Sequence, residues 1–450
     1  MSNEKEAIFE KLASLAQESS RVDPDFYQKY DVKRGLRDIN GKGVVAGLTQ
    51  IGDVLSHTPL PDGTLNGPGA LIYRGIDIRD ITDGFLGENR SGFEEVAYLL
   101  LFGALPDQGQ LLSFRNLLFD FRNLPFDFVH DSILKLTSRD IMNAMAQSVL
   151  AMYTLDDRAD DTSIPNVLRQ CLQLIALFPV LAAYCYRAYV YRYLRKSLII
   201  HNPTGHLSAA ADFLHVMRED CSYTPMEARL LDLSLVLHAE HGGGNNSSFT
   251  THVVSSSGTD TYSAMTAALG SLKGPRHGGA NIKVVQMFED MKREVRHWES
   301  EGEIADYLAK LLNREAFDRS GLIYGLGHAV YSTSDPRAVI LRGQVEKLAQ
   351  EKGSTEEFEL YRTVERLAPE VIARYRKIYK GVSANVDFYS GFLYRLLNIP
   401  AELYTPLFAM ARIVGWSAHR IEELCTAGKI IRPAYKSVAE SRPYRPLASR

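Results

Sequence analysis

Along most of the chain, apolar positions recur every three to four residues, the spacing of one face of a helix. Phe93 to Phe102 has this pattern and stops at Gly103, a residue suited to the left-handed conformation that closes a helix. Ser354 followed by Glu357 has the form of a capping box and opens a helix with Phe358, Tyr361 and Val364 on one side. Ile304, Leu308 and Leu311 mark another amphipathic helix, and Val382 to Leu397 holds one more. Strand-like segments are short and early, around Val44 to Leu48 and Leu71 to Arg74. There is no βαβ alternation, internal repeat or low-complexity tract. The pattern predicts an all-α, mainly helical protein.

Leu172 to Leu194 is apolar over nearly the length of a membrane span. Pro179 interrupts it, and Arg187, Arg192 and Arg195 crowd its second half, charges that a spanning helix would have to submerge. The expectation is a buried helix of a large soluble protein. The N-terminal segment reads as a polar helix, Glu4 to Ser19, followed by a charged connector. The tail, Ile431 to Arg450, is rich in Pro, Arg and Ser, and is expected to be disordered alone or laid over a neighbouring surface.

With 450 residues the chain has room for two or three domains. A net charge of −3 with no block of like charge favours neither nucleic acid nor a membrane surface as partner. The four cysteines, Cys171, Cys185, Cys221 and Cys425, are dispersed, which argues against a disulfide framework or a thiolate zinc site and fits a reducing compartment. Met1 to Gln17 lacks the apolar core of an export signal, so a cytoplasmic location is expected.

Five motifs carry candidate chemistry. In His238-Ala239-Glu240-His241, followed by Gly242, Gly243, Gly244, Asn245 and Asn246, two histidines on a helix would face the same way. A metal site is one reading, although no third ligand stands at helical spacing; a helix-capping and a core histidine are the other. In Gly274-Pro275-Arg276-His277-Gly278-Gly279-Ala280-Asn281, the prolyl-glycyl turn sets His277 near the positive end of a following helix. That position disfavours imidazolium and leaves a ring able to donate to an oxyanion, or else the histidine is incidental to a turn. Gly325-Leu326-Gly327-His328-Ala329-Val330-Tyr331, then Asp335-Pro336-Arg337, suits recognition of a small anionic carbonyl compound, or else is a turn with a surface Asp–Arg pair. In Asn385-Val386-Asp387-Phe388-Tyr389-Ser390-Gly391, the carboxylate of Asp387 lies among apolar residues and is either a general base or a helix cap. Arg412, within an apolar helix, and Arg432, before Pro433, could offer bidentate donors to carboxylates; Arg412 is the more telling, since Arg432 on the tail reads by itself as solvated.

Taken in order, these motifs, with Ile72-Tyr73-Arg74-Gly75 ahead of them, resemble the citrate synthase family from about Leu48 to Pro433. The resemblance implies a homodimer of two-domain helical subunits with the catalytic cleft between the domains. It places an N-terminal extension at 1–45, a large domain at 46–278 and 400–450, and a small domain at 279–399. Leu172 to Leu194 would then be a dimer-interface helix. The implied activity is a metal-independent acyl transfer of the tricarboxylic acid cycle, with acetyl-CoA and oxaloacetate as substrates and no cofactor. In that scheme Asp387 is the base, His277 hydrogen-bonds the thioester oxygen, and His328 polarises the ketone. His241, Arg337, Arg412 and Arg432 bind oxaloacetate, Arg432 reaching the neighbouring subunit's site. 2-Methylcitrate synthase, using propionyl-CoA, shares all these residues; a metal-dependent hydrolase and a non-catalytic helical scaffold are the remaining alternatives. The chain departs from the family at Gly242 (often Glu), Leu326 (often aromatic), Ala329 (often Arg) and Ser332 (often basic), none of them a reacting group.

Overall fold

The computed structural model describes residues 3–38, 42–58, 64, 67–376, 381–426 and 428–449. It forms two compact units, one built from residues 1–46 with 432–450 and the other from residues 47–431. In the terminal unit, the expected polar helix spans Asn3–Ser19, with Ile8, Phe9, Leu12 and Leu15 exposed. Lys33 pairs with both Asp31 and Asp38, and Lys436 of the tail lies 5.7 Å over the ring of Tyr30.

The body is mainly helical, with one antiparallel sheet of order β1 (Gly52–Leu55), β2 (Ala70–Tyr73), β3 (Ile76–Asp77). The expected second strand is present, but the first lies later than Val44 to Leu48. Val45 and Leu48 are almost fully exposed, and pairing begins where Gly52 meets Tyr73. Tyr73 and Ile76 are joined by Arg74 (φ 49°) and Gly75 (φ 87°), two positive angles in succession as in a type I′ hairpin turn. The Arg74 guanidinium then donates twice to the Leu100 carbonyl, at 3.0 and 2.9 Å, serving the C-terminal end of helix Phe93–Phe102. That helix closes at Gly103 with φ 83°, as its sequence predicts.

Ile164–Tyr193 is one continuous helix of 30 residues through Pro179. It is long and apolar enough to cross a membrane, yet 83% of its most apolar window is buried by the rest of the chain. Helices Ile141–Met152, Ala209–Met217 and Tyr404–Thr426 pack around it. Its buried Arg187 reaches Glu219 at 3.1 Å, so the charge that argues against a span has a partner at the surface.

Helix Thr355–Tyr375 starts where expected but without the capping box. Ser354 (φ −109°, ψ 27°) is not extended and makes no cap bond, while Glu357 turns away to pair with Lys292 and Arg395. This helix packs on Glu301–Leu312, whose Ile304, Leu308 and Leu311 are buried as expected. Ala280–Glu294 and Pro336–Glu351 both pack on Val386–Leu396. The Phe288 and Tyr361 rings stack 3.5 Å apart at 6°, with Phe388 edge-on to both. Phe288→Ala should empty this aromatic centre and lower stability by about 3–5 kcal/mol, read as a shift of the denaturant midpoint; a loss under about 1 kcal/mol would mean that the neighbours collapse into the gap.

Candidate active site

Helix Pro225–His238 is opened by a capping box between Thr224 and Glu227 and ends at His238, earlier than the sequence reading requires. His241 therefore lies beyond the helix, and the two histidines do not share a helical face. The carbonyls left over at this end are met by three outside donors. Arg412 Nε donates to the His238 carbonyl at 2.7 Å, Gly415 N–H to that of Ala239 at 3.2 Å, and the Tyr73 hydroxyl lies 3.0 Å from those of Val236 and Glu240. A Cβ on Gly415 would come within 2.4 Å of Glu240 Oε2 and 2.5 Å of the Ala239 carbonyl, so this crossing requires glycine.

Arg412 is fully buried, on the face of helix Tyr404–Thr426 that meets this junction, with its guanidinium carbon 4.8 Å over the Phe408 ring. Both of its Nη atoms lack a partner. Burial draws its pKa down to about 10, against the pull of Glu240. Beside it, His238 donates from Nδ1 to the Ser234 carbonyl at 2.8 Å, and burial together with Arg337 lowers its pKa to about 3. His241 is held well below the ordinary imidazole value by burial, Arg337, His328 and Arg412, and its Nε2 is buried without a partner.

The His328 loop is tied to the segment before Asp387. Asn385 N–H donates to the Gly325 carbonyl at 2.9 Å, Gly327 N–H to that of Ser383 at 2.8 Å, and Asn385 Nδ2 to that of Gly327 at 2.9 Å. Gly325 has φ 81°, and a Cβ there would strike Phe388 and Val284 at 2.8 Å. Val330 and Tyr331 N–H groups both donate to His328 Nδ1, at 3.0 and 3.1 Å, which puts the proton of the neutral ring on Nε2. The ring stacks on Tyr331 (centroids 4.6 Å apart) and meets His241 edge-on at 5.1 Å.

Asp335 and Arg337 do form a pair, but a buried one. The carboxylate caps helix Pro336–Glu351 and takes Arg337 Nε at 3.0 Å and Nη2 at 2.7 Å. The same carboxylate accepts Val386 N–H at 3.2 Å, at the start of helix Val386–Leu396. Asn385, not Asp387, is that helix's cap, accepting Asp387 N–H at 3.0 Å. Asp387 is thereby left without the capping role. Its residue keeps some surface, but the dense protein around its carboxyl pushes the pKa up to about 6, against the opposing pull of Arg337.

His277 sits in the tight turn before helix Ala280–Glu294, where a Cβ on Gly278 would come 2.4 Å from the Leu272 carbonyl. Burial, then Arg412, lowers its pKa to about 4, so the ring is neutral as its position before a helix predicts. Its Nε2 is 3.1 Å from Ser247 Oγ, which also accepts Trp416 Nε1–H at 3.0 Å and lies 3.0 Å from Asn245 Oδ1. The Ser247 hydroxyl proton selects the tautomer: turned to Asn245 it leaves the imidazole proton on Nε2, turned to His277 it leaves that proton on Nδ1.

Glu240 lies fully buried behind this cluster, accepting Gly242 N–H at 2.5 Å and facing His419 Nε2 at 2.9 Å. His419 is pushed up to about 9 by Glu240 and Glu422, against its burial, and is therefore charged near neutral pH.

Six of the seven expected residues, His241, His277, His328, Arg337, Asp387 and Arg412, thus belong to the body and are linked by ring contacts or electrostatics. Arg432 is exposed and belongs to the terminal unit. Ser247, Tyr331, Asp335, Glu240 and His419 were not singled out from sequence as site residues. A signal existed for the last of these, since His419 follows Arg412 by seven residues, two helical turns along the same face.

The profile described as citrate synthase, C-terminal domain, matches residues 37–434. The chain belongs to the citrate synthase family. A citrate synthase of Acidithiobacillus ferridurans is 36% identical over 85% of this chain and 93% of its own. A 2-methylcitrate synthase of Shewanella oneidensis is 32% identical over 89% of this chain and 96% of its own. The solved ternary complex of citrate synthase from Thermoplasma acidophilum with carboxymethyl coenzyme A and oxaloacetate is 25% identical. It covers 93% of this chain and 99% of its own, with a TM-score of 0.75. As a member of this family the chain is an acyltransferase with a mainly helical fold.

Asp387 offers a test that needs no substrate. An aspartate raised above its ordinary value of about 3.9 binds its proton more tightly in the folded state. Its burial costs nothing below that value; the cost grows as pH rises to about 6 and persists above it. Asp387→Asn should therefore raise the thermal midpoint over the parent protein at pH 8, with the gain fading near pH 4. An equal gain at both values would contradict the raised carboxyl.

Proposed function

We propose that this citrate synthase family member condenses acetyl-CoA with oxaloacetate and hydrolyses the citryl-CoA formed to citrate and CoA. The observation that carries this reading is Arg412, fully buried with both Nη atoms unpartnered, next to the neutral His241 and His277. A desolvated guanidinium with two nitrogens lacking acceptors favours an anion strongly. Oxaloacetate supplies two carboxylates and, between them, a ketone for the histidines. In this reading Arg337, oriented by Asp335, and Arg412 hold the carboxylates with His241.

The chemistry follows from the protonation states. Asp387, with its carboxyl raised toward neutrality, removes a proton from the methyl carbon of the thioester. His277, its Nε2 receiving the Ser247 hydroxyl, donates from Nδ1 to the thioester oxygen as the enol or enolate forms. That carbon attacks the ketone carbon of oxaloacetate, while His328 donates from Nε2 to the ketone oxygen as it becomes an alcohol. Each acid or base contributes on the order of 10²–10⁴-fold. Residues 279–399 act as the smaller lobe, whose closure excludes water until the carbon–carbon bond has formed. Arg432 of one copy completes the oxaloacetate site of a second, so the working unit is a homodimer.

Arg412→Leu is expected to weaken oxaloacetate binding by about 1.5–3 kcal/mol, the range for hydrogen bonds to charged groups. Calorimetry on a variant that keeps its thermal transition measures this, and unchanged affinity would remove Arg412 from the site. The deciding experiment is release of CoA thiol by chelator-treated protein. Release should require oxaloacetate, be faster with acetyl-CoA than with propionyl-CoA, and vanish in Asp387→Ala. Faster release from propionyl-CoA would keep the mechanism and make the product 2-methylcitrate, as the name of the Shewanella relative suggests. One methylene discriminates by only about 1–3 kcal/mol. No release from either thioester would overturn the proposal.

A further inference from the structure

A hydrogen-bonded row of side chains leads outward from the interior of the body: Glu240, His419, His252, Glu423. His419 Nε2 lies 2.9 Å from Glu240, and His252 Nδ1 lies 2.7 Å from Glu423. Each imidazole thus turns one nitrogen to a carboxylate, which takes its N–H. The two remaining nitrogens, His252 Nε2 and His419 Nδ1, face each other 3.1 Å apart. With both outer nitrogens donating, one proton remains to fill this gap: His419 Nδ1–H donates to the lone pair of His252 Nε2, and a metal ion would take that proton's place. Glu422 Oε2, shielded from solvent and without a hydrogen-bond partner, is 3.8 Å from the same His419 nitrogen. One donor atom from each of His252, His419 and Glu422 lies within 4.8 Å of the other two, the one such group among the described residues.

We propose that this gap binds a divalent ion of the zinc, cobalt and nickel class through His252 Nε2, His419 Nδ1 and Glu422, the proton between the rings leaving to solvent. The two ring nitrogens are spaced for it, because a tetrahedral ion with bonds of about 2.0–2.1 Å to imidazole sets its donors roughly 3.3 Å apart; Glu422 Oε2, 3.8 Å from His419 Nδ1, moves inward on binding. Two imidazoles and one carboxylate favour this class over magnesium or calcium, which take oxygen ligands. The outer carboxylates supply what metal-bound histidines ordinarily have, an acceptor on the second nitrogen that fixes ring and tautomer. Access exists from outside, since the His252, Glu422 and Glu423 side chains keep 13%, 16% and 19% of their exposure. Gly243 leaves the inner side open: a Cβ there would lie 3.4 Å from His419 Cε1 and 3.5 Å from His252 Nε2. The site shares no ligand with the groups assigned to the condensation, and it is separate from His238 and His241.

The test is calorimetric titration of chelator-stripped, dialysed full-length protein with zinc chloride, repeated with cobalt chloride while visible absorption is recorded. The expected result is one ion per chain, with cobalt bands of tetrahedral intensity. Affinity should fall at least about tenfold in His252→Ala and in Glu422→Gln, and roughly 10–100-fold in Glu423→Gln, which touches only the second nitrogen of His252. Cys425, exposed on the same helix three residues after Glu422, is the competing thiolate, and Cys425→Ser should leave binding unchanged. Absence of stoichiometric binding by the parent protein would overturn the proposal. So would binding that survives both His252→Ala and Glu422→Gln, or that is lost in Cys425→Ser.

Discussion

The hydrogen bond from Arg412 Nε to the His238 carbonyl is the contact on which the site depends. A helix end leaves carbonyls that must find donors, and a buried arginine must find acceptors. Each need is met by the other, at the cost of leaving two guanidinium nitrogens unsatisfied in the interior. The turn that follows His238 is held in the same junction, by Gly415 against Ala239, by Tyr73 against Glu240 and by Glu240 against Gly242. His241 is therefore delivered by backbone that cannot relax independently of the arginine.

Burial sets the protonation of what surrounds that cation. A poorly hydrated space disfavours a positive charge, and a guanidinium already present adds to the effect, so His238 and His241 stay neutral beside Arg337 and Arg412, and His277 beside Arg412. Low hydration alone has the opposite consequence for a carboxyl, and Asp387 holds its proton longer than a solvated aspartate. Neutral imidazoles beside a weakly acidic carboxyl form a set of groups that can take and give protons near neutral pH.

Much of this was legible in the sequence, for local reasons. The helix ending at Gly103 and the face of Ile304, Leu308 and Leu311 are written in short-range periodicity. His277 before a helix and Asp387 among apolar residues were visible as chemistry awaiting a context. Other features depend on partners far along the chain. Ser354 and Glu357 have the form of a capping box, but Lys292 and Arg395 compete for the glutamate and win. Val44 to Leu48 has strand composition, but among the described residues it forms no strand, Val44 N–H reaching the Leu36 carbonyl instead, whereas Gly52–Leu55 pairs with Ala70–Tyr73. Asp335 and Arg337 read as a turn pair because burial is invisible two residues at a time. Ser247, which steers His277, had no signal of its own, since a serine after glycines and asparagines is ordinary loop composition.

Three hydrogen bonds join the loop of Gly325 to His328 to the segment Ser383 to Asn385, and Asp335 ties Arg337 to the first turn of the Asp387 helix. His328, Arg337 and Asp387 are thus mounted on one stiff bracket, although 59 positions separate the histidine from the aspartate. Thermal motion of that bracket against Arg412 and His277 carries a proton donor, an anion anchor and a proton acceptor together, without altering the spacing among them. Misalignment then takes the form of a single hinge error shared by three groups rather than three independent ones, and a single restoring contact is enough to correct all of them at once.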